Sequence, residues 1–213
     1  MECREKVEHG KTLGLRTVEA LKKNGFKAAY FDSAADAEKA ILSLIEDGAS
    51  VGFGGSATVP QLNVQDELIK RGCTIYDHNK SIAPEEKLKM RYMQQSADFF
   101  LTGSNAVTLD GKLYNMDATG NRVSAMIFGP KHVIAVVGVN KIVKDLDEAE
   151  ERVRMTAVPV NCIRLKRNTP CVGTGVCMDC SSPQRICNIA VVLHRCPPTI
   201  DFHVVIIGEE LGF

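Results

Sequence analysis

Six of the chain's eight cysteines lie between residues 162 and 196, and four of them, Cys171, Cys177, Cys180 and Cys187, form a C-x5-C-x2-C-x6-C run within PCVGTGVCMDCSSPQRIC. A C-x2-C pair on a loop points two sulfurs the same way, as one metal centre requires. Gly173, Gly175 and Pro183 argue against a regular helix or strand, so residues 168–198 are expected to take their shape from whatever the sulfurs bind. Disulfides would need an oxidising compartment, yet MECREKVEHG carries no apolar signal segment, and the expectation is a cytoplasmic protein. Structural zinc sites usually pair two close-spaced knuckles, and a single C-x2-C is present. The uneven spacing, with Cys196-Pro197 beyond it, suits a [4Fe–4S] cluster better, and zinc stays the alternative. Cys162 or Cys196 can stand in for one of the four ligands. Arg164, Lys166, Arg167, Arg185 and Arg195 lie close in sequence to offset the negative charge of such a site.

A second chemistry-bearing stretch is GFGGSAT. Gly54 and Gly55 let backbone N–H groups turn inward, Ser56 and Thr58 add hydroxyls, and a helix follows, which together suit a phosphate or carboxylate. The same stretch satisfies G-x-G-x-x-G/A with Asp77 downstream, so a nicotinamide dinucleotide is a further reading and a plain βα turn the simplest one. A third stretch holds Thr102-Gly103-Ser104-Asn105 and, across a hairpin, Asn115, Asp117, Asn121 and Arg122. Convergent hydrogen bonding to a small polar ligand by Asn105, Asn121 and Arg122, with Asp117 as a base and Arg122 as an anion clamp, competes here with ordinary Asx turns. Lys141 follows the strand HVIAVVG at the end where open α/β sheets place ligands, which makes it, with Asp117, a candidate catalytic residue, and a solvated loop lysine is the plain alternative.

These residues need positioning elements. Arg4 to Asn24 carry Val7, Leu13, Val18 and Leu21 at helical spacing, and Ser33 can cap a second helix with Ala37, Ile41, Leu44 and Ile45 on its apolar face. Strands are expected at 50–53, 73–76, 99–102, 132–138, 189–193 and 202–208. Helices are expected from Pro60, from Pro84 to Ser96, over VSAMIF, and from Leu146 to Ala157. Asp110-Gly111 between AVTL and KLYNM signals a type I′ hairpin. The alternation implies an α/β fold: a mostly parallel sheet flanked by helices, one β-hairpin, and a C-terminal cysteine-rich loop, in a single domain over residues 1–213. Forty-five per cent apolar residues are enough to bury a substantial core. Basic and acidic residues balance at 26 each without a basic stripe, which argues against nucleic acid, and no apolar run approaches the roughly 20 residues of a membrane span.

The blocks GFGGSATVPQL, TGSNAVTLDGKLYNMDATGNR, GPKHVIAVVGVNKIVKDLDEAEERVR and TPCVGTGVCMDCSSPQRICN together resemble the LUD-domain, or lactate-utilisation protein, family, in its subgroup with a C-terminal four-cysteine motif. The resemblance implies a NagB/RpiA/CoA-transferase-like fold. It also implies a part beside iron–sulfur partners in L-lactate oxidation, with a redox partner subunit and a 2-hydroxy or 2-oxo carboxylate as the small anionic metabolite. A homodimer is compatible with it. A metabolite-binding or regulatory module with a structural zinc is the alternative, and whether this chain itself catalyses a reaction stays open. Ribose-5-phosphate isomerases of the same fold carry catalytic aspartates where Thr102 and Asn105 stand here, and CoA transferases need a glutamate that this stretch lacks. The resemblance therefore implies the cleft without either reaction.

Overall fold

A computed structural model describes residues 4–80 and 83–213. Helix α1 (Arg4–Lys23) ends in a Schellman turn, in which Phe26 N donates to Leu21 O, Gly25 N donates to Lys22 O, and Gly25 takes a φ of +86°. Strand β1 (Lys27–Phe31) and helix α2 (Ala34–Leu44) follow, with Ser33 Oγ accepting from Asp36 N as the sequence suggests. The apolar faces are narrower than expected. Val7 and Leu44 are exposed, while α1 buries the expected Val18 and Leu21 together with Gly14 and Thr17, and Gly14 comes so close to the Tyr30 ring that a side chain there would clash.

Strand β2 (Ser50–Phe53) leads into the glycine loop, a 3₁₀ turn at Val59–Gln61 and helix α3 (Val64–Lys70). The stretch after Pro60 is thus broken at Leu62, which takes extended backbone. Strand β3 (Thr74–Asp77), helix α4 (Pro84–Gln95) and strand β4 (Phe99–Gly103) complete that half. Strands β5 (Ala106–Thr108) and β6 (Leu113–Asp117) form the expected hairpin with a different turn. Gly111 is at φ +81°, Asp110 is not at positive φ, and Gly111 N donates to Thr108 O, so the turn is type I with a glycine bulge. The primed turn is set aside because Gly111 lies against the backbone of Ala20 and Leu21, and Asn24 Nδ2 donates to the carbonyls of Asp110 and Gly111.

Helix α5 (Asn121–Ile127), strand β7 (His132–Gly138), a 3₁₀ turn and the two-residue strand β8 (Ile142–Val143) come next. Helix α6 (Leu146–Arg152) then passes through a π-helical turn at Val153–Ala157 into α7 (Val158–Arg164), so the helix runs one further segment beyond Ala157. A short helix α8 (Pro170–Thr174) lies inside the cysteine segment, which sequence reasoning left irregular. Pro170 sits in its first turn and Gly175, at φ +75°, closes it, so the two residue types that break helices here begin and end one. Strands β9 (Ile189–Leu193) and β10 (Asp201–Ile207) finish the chain.

Six strands form a parallel sheet in the order β1-β10-β7-β4-β2-β3, and β8-β5-β6-β9 form a smaller mixed sheet. β7 serves both faces of the large sheet: Ile134 and Val136 pack under α2 and α3, while Val133, Ala135 and Val137 pack under α1 and α5. A third core joins the small sheet to α6, α7 and the cysteine segment through Ala106, Tyr114, Val153, Val158, Cys162 and Ile186. Among the described residues no helix is long and apolar enough to cross a membrane.

Candidate functional site

β2, β4 and β7 are parallel and adjacent, with β4 between the other two, so their C-terminal ends open at one edge of the sheet. A chain that leaves β1 at one side and enters β2 at the other leaves a crevice at such an edge. The crevice here has a volume of about 450 Å³. Its floor is Gly55, Ser56 and Ala57 after β2, Gly103 to Asn105 after β4, and Lys141 after β7. The turn from β6 into α5 supplies Asp117, Asn121 and Arg122, and α7 with its exit supplies Asn161, Arg164 and Arg167. The structure therefore brings Gly55, Ser56, Asn105, Asp117, Asn121, Arg122 and Lys141 into one cavity.

Two residues named with them lie elsewhere. Gly54 N donates to Leu101 O (2.8 Å), continuing the sheet, and Gly54 faces a separate hollow shared with Asp77 and Asn79. Thr58 is fully buried beneath the floor, where its Oγ1 accepts from Lys141 Nζ (2.7 Å). Ser56 Oγ accepts from Thr58 N (3.0 Å) and Val59 N (3.2 Å), which fixes the loop, while the N–H groups of Gly55, Ser56 and Ala57 donate to no described residue.

Arg122 is a buried cation whose two terminal nitrogens are fully engaged. Nη1 donates to Gly103 O (3.0 Å) and Asn115 Oδ1 (2.7 Å), Nη2 donates to Asn105 Oδ1 (3.0 Å) and Met116 O (3.0 Å), and Nε lies 3.6 Å from Asp117 Oδ1. It welds β4, β6 and α5 together and contributes charge to the cavity more than free hydrogen bonds. The Asp117 carboxylate is engaged as well, with Oδ2 accepting from the backbone N–H of Arg122 (3.1 Å) and Val123 (3.4 Å) at the start of α5. Asn105 uses its Oδ1 to accept from Met116 N and Arg122, and its carbonyl accepts from Arg152 Nη1 (2.6 Å).

Lys141 differs from these. Its side chain is buried at the cavity wall, and burial, aggravated by the nearby guanidinium groups of Arg152 and Arg122, lowers its pKa from 10.5 to about 7. His78 also faces the cavity. Its Nδ1 meets Gln94 Nε2 (2.9 Å), which also donates to Phe53 O, and burial holds the imidazole pKa below its usual value.

Sequence reasoning missed His78, Lys87, Arg91, Asn161 and the cavity role of Arg164 and Arg167. His78 follows β3 at the same sheet edge, Lys87 and Arg91 are four apart on α4, and Asn161 and Arg164 are three apart on α7, so helix periodicity and the strand-end rule were the available signals. Arg164 and Arg167, named in the sequence for their nearness to the cysteines, line the cavity. The cysteine segment forms one wall of that cavity through Ile186.

Cys171 lies on α8, and Cys177, Cys180 and Cys187 lie on the loop that follows it. Cys177 Sγ accepts from Asp179 N (3.4 Å) within the C-x2-C turn, where Asp179 adopts φ +44°, and Arg154 Nη1 lies 3.9 Å from it. Arg185 donates to the carbonyls of Cys180 (2.6 Å) and Cys187 (3.1 Å). Cys171 is buried with Thr169 Oγ1 3.2 Å away, and burial together with the Cys171 and Cys187 sulfurs pushes the Cys162 thiol up to about 11. Among the described residues, no three His, Cys, Asp or Glu side chains stand together at metal-binding distance.

A model of the LUD domain matches residues 15–207 of this sequence. The chain belongs to the LUD domain family. It is similar to the crystal structure of a DUF162 family protein from Deinococcus radiodurans, with 16% identity, a TM-score of 0.55, and coverage of 93% of this chain and 97% of that one. A looser likeness, with 17% identity and a TM-score of 0.36 over 54% of this chain and 55% of the other, is to ribose 5-phosphate isomerase A from Methanocaldococcus jannaschii. No curated protein matches the LUD chain at a significant level. The arrangement of its large sheet and helices agrees with the α/β fold the sequence implied.

Proposed function

We propose that this LUD chain is a lactate-utilisation-type protein whose cavity binds a small anionic metabolite of the 2-hydroxy or 2-oxo carboxylate class. One observation carries the reading: among the described residues, six basic side chains (Lys87, Arg91, Arg122, Lys141, Arg164 and Arg167) line the cavity, against the single carboxylate of Asp117. Gly55, Ser56 and Ala57 of the glycine loop line the same space, and their backbone N–H groups, unengaged by described residues, are available to an anion there. A neutral or cationic ligand would leave that charge uncompensated in a partly enclosed site.

Cys171, Cys177, Cys180 and Cys187 would hold a [4Fe–4S] cluster in the adjoining wall, with zinc the alternative, and the bound cluster would supply one-electron transfer to a partner subunit. This chain's own residues bind and orient the anion: Lys141, the loop amides and the Asn105 side chain from the floor, and Arg164 and Arg167 from the wall. Titration calorimetry with pyruvate, L-lactate and the uncharged analogue lactamide tests the reading. Binding of the two acids but not the amide, weakened in Arg167→Ala, is expected. Equal affinity for lactamide, or no binding of either acid, would refute it.

A further inference from the structure

We propose that Lys141 is an amine nucleophile that captures the carbonyl carbon of a 2-oxo acid in this cavity as an imine. The inference rests on the anionic-metabolite reading and narrows it from hydroxy and oxo acids to the oxo class.

The placement of the amine carries the argument. Lys141 follows the C-terminal end of β7, and its side chain, with 4% of the residue exposed, reaches the cavity wall beside the glycine loop. Nζ donates to the fully buried hydroxyl of Thr58 at 2.7 Å. Gly212, at φ +61°, closes over this pair from behind: a Cβ there would lie 2.5 Å from Thr58 Oγ1 and 3.0 Å from Nζ. The amine is therefore held in one position by a hydroxyl and a backbone wall. No carboxylate among the described residues lies within ion-pair distance of it, although a buried lysine is ordinarily paired. The charged groups that act on it are the cations Arg152 and Arg122.

A lysine meant only to clamp a carboxylate would gain from staying protonated, and Arg164 and Arg167 already serve that end. Here the surroundings favour the free base. With a pKa of about 7, about half of the chains carry an unprotonated amine at neutral pH, against roughly one in a few thousand for an exposed lysine. A free amine attacks carbonyl carbon. The N–C bond forms as the carbonyl π bond opens, and the oxygen takes up the proton that nitrogen releases. The resulting carbinolamine loses water as its C–O bond breaks, so that amine and ketone are converted to imine and water with no oxidant or reductant. The carboxylate of the oxo acid lies in the field of the same arginines that disfavour the ammonium, so ligand binding and amine activation draw on one arrangement of charge.

Reductive trapping tests this. The full chain is incubated at pH 7 with pyruvate or glyoxylate and sodium cyanoborohydride, followed by intact mass and peptide mapping, with pyruvate binding measured separately by calorimetry. The expected result is one secondary-amine adduct on the Lys141 peptide, formed at least about tenfold faster than on exposed lysines, and absent from Lys141→Arg and Lys141→Met. L-Lactate should form no adduct and should slow trapping by pyruvate. Binding of pyruvate without an adduct at Lys141 would overturn the imine and leave the anion site standing, as would adducts spread over surface lysines and unchanged in Lys141→Met. Neither binding nor adduct would remove both proposals.

Discussion

Replacing Lys141 by Met should make the protein more stable at low pH, the reverse of the usual result for a buried residue. The drop in pKa from 10.5 to about 7 means that the folded chain holds the charged form at a cost of roughly 5 kcal/mol relative to the unfolded chain. Methionine keeps the length of the stem and removes the charge. It loses the hydrogen bond to Thr58, worth about 1 kcal/mol, and leaves that hydroxyl with one partner fewer. Relaxation and water at the cavity wall reduce the gross figure, and a net gain of about 2–4 kcal/mol at pH 6 is expected, near 10 °C in melting temperature for a chain of this size.

The pH dependence has a definite sign. Below about 7 the lysine is charged in both states and the cost is present in full. As pH rises from about 7 toward 10.5 the folded chain releases the proton first, and wild-type stability climbs toward that of the variant. Arg152 and Arg122, which act on Lys141, keep their charge over this range, and thiols such as Cys162 titrate alike in both proteins, so the difference between the two isolates Lys141. Urea unfolding at pH 6, 7.5 and 9 measures it. A variant less stable than wild type at pH 6, or a difference that does not shrink by pH 9, would refute both the buried charge and the free-base argument built on it.

Arg122→Lys should cost about 3–5 kcal/mol in urea unfolding, because an ammonium has three donors for the four oxygens that the guanidinium bonds and leaves buried carbonyl and amide oxygens unpaired; a loss below about 1 kcal/mol would return Arg122 to the role of a free anion clamp. Gly54→Val should destabilise by about 1–3 kcal/mol, since a Cβ there would lie 2.7 Å from Thr102 Oγ1 and 3.0 Å from Phe100 Cζ, and metal content after anaerobic purification should be unchanged. Cys177→Ser should abolish bound iron and sulfide, about four of each per chain for one cubane, whereas Cys73→Ser should retain them, because Cys73 is packed in the core with its thiol toward Glu46 O. Stoichiometric zinc in place of iron would decide for the alternative centre.

Local patterns in this sequence were enough for the strands of the large sheet, for most helices and for the edge at which the site opens, though not for α8 or the continuation into α7. The β-branched apolar run HVIAVVG reads as a central strand, Ser33 and Asn24-Gly25 bound helices by their own hydrogen bonds, and a glycine loop after β2 with Lys141 after β7 marks one end of a parallel sheet. These signals are local, set by backbone preference and by which face of an element is apolar. Tertiary structure decided what each polar residue does. Arg122 and Asp117 read as a clamp and a base, yet their hydrogen-bonding atoms are taken up by β4, β6 and α5, which meet only on folding. Thr58 reads as a ligand hydroxyl and lies under the floor, supporting Lys141. The continuation of α6 through a π turn into α7 carries Arg164 and the following Arg167 to the cavity. The type I turn at Gly111 was set by contact with α1, and the lowered pKa of Lys141 by its burial beside Arg152 and Arg122. Hydrogen-bond satisfaction and desolvation depend on neighbours distant in the chain, and spacing along the sequence does not encode them.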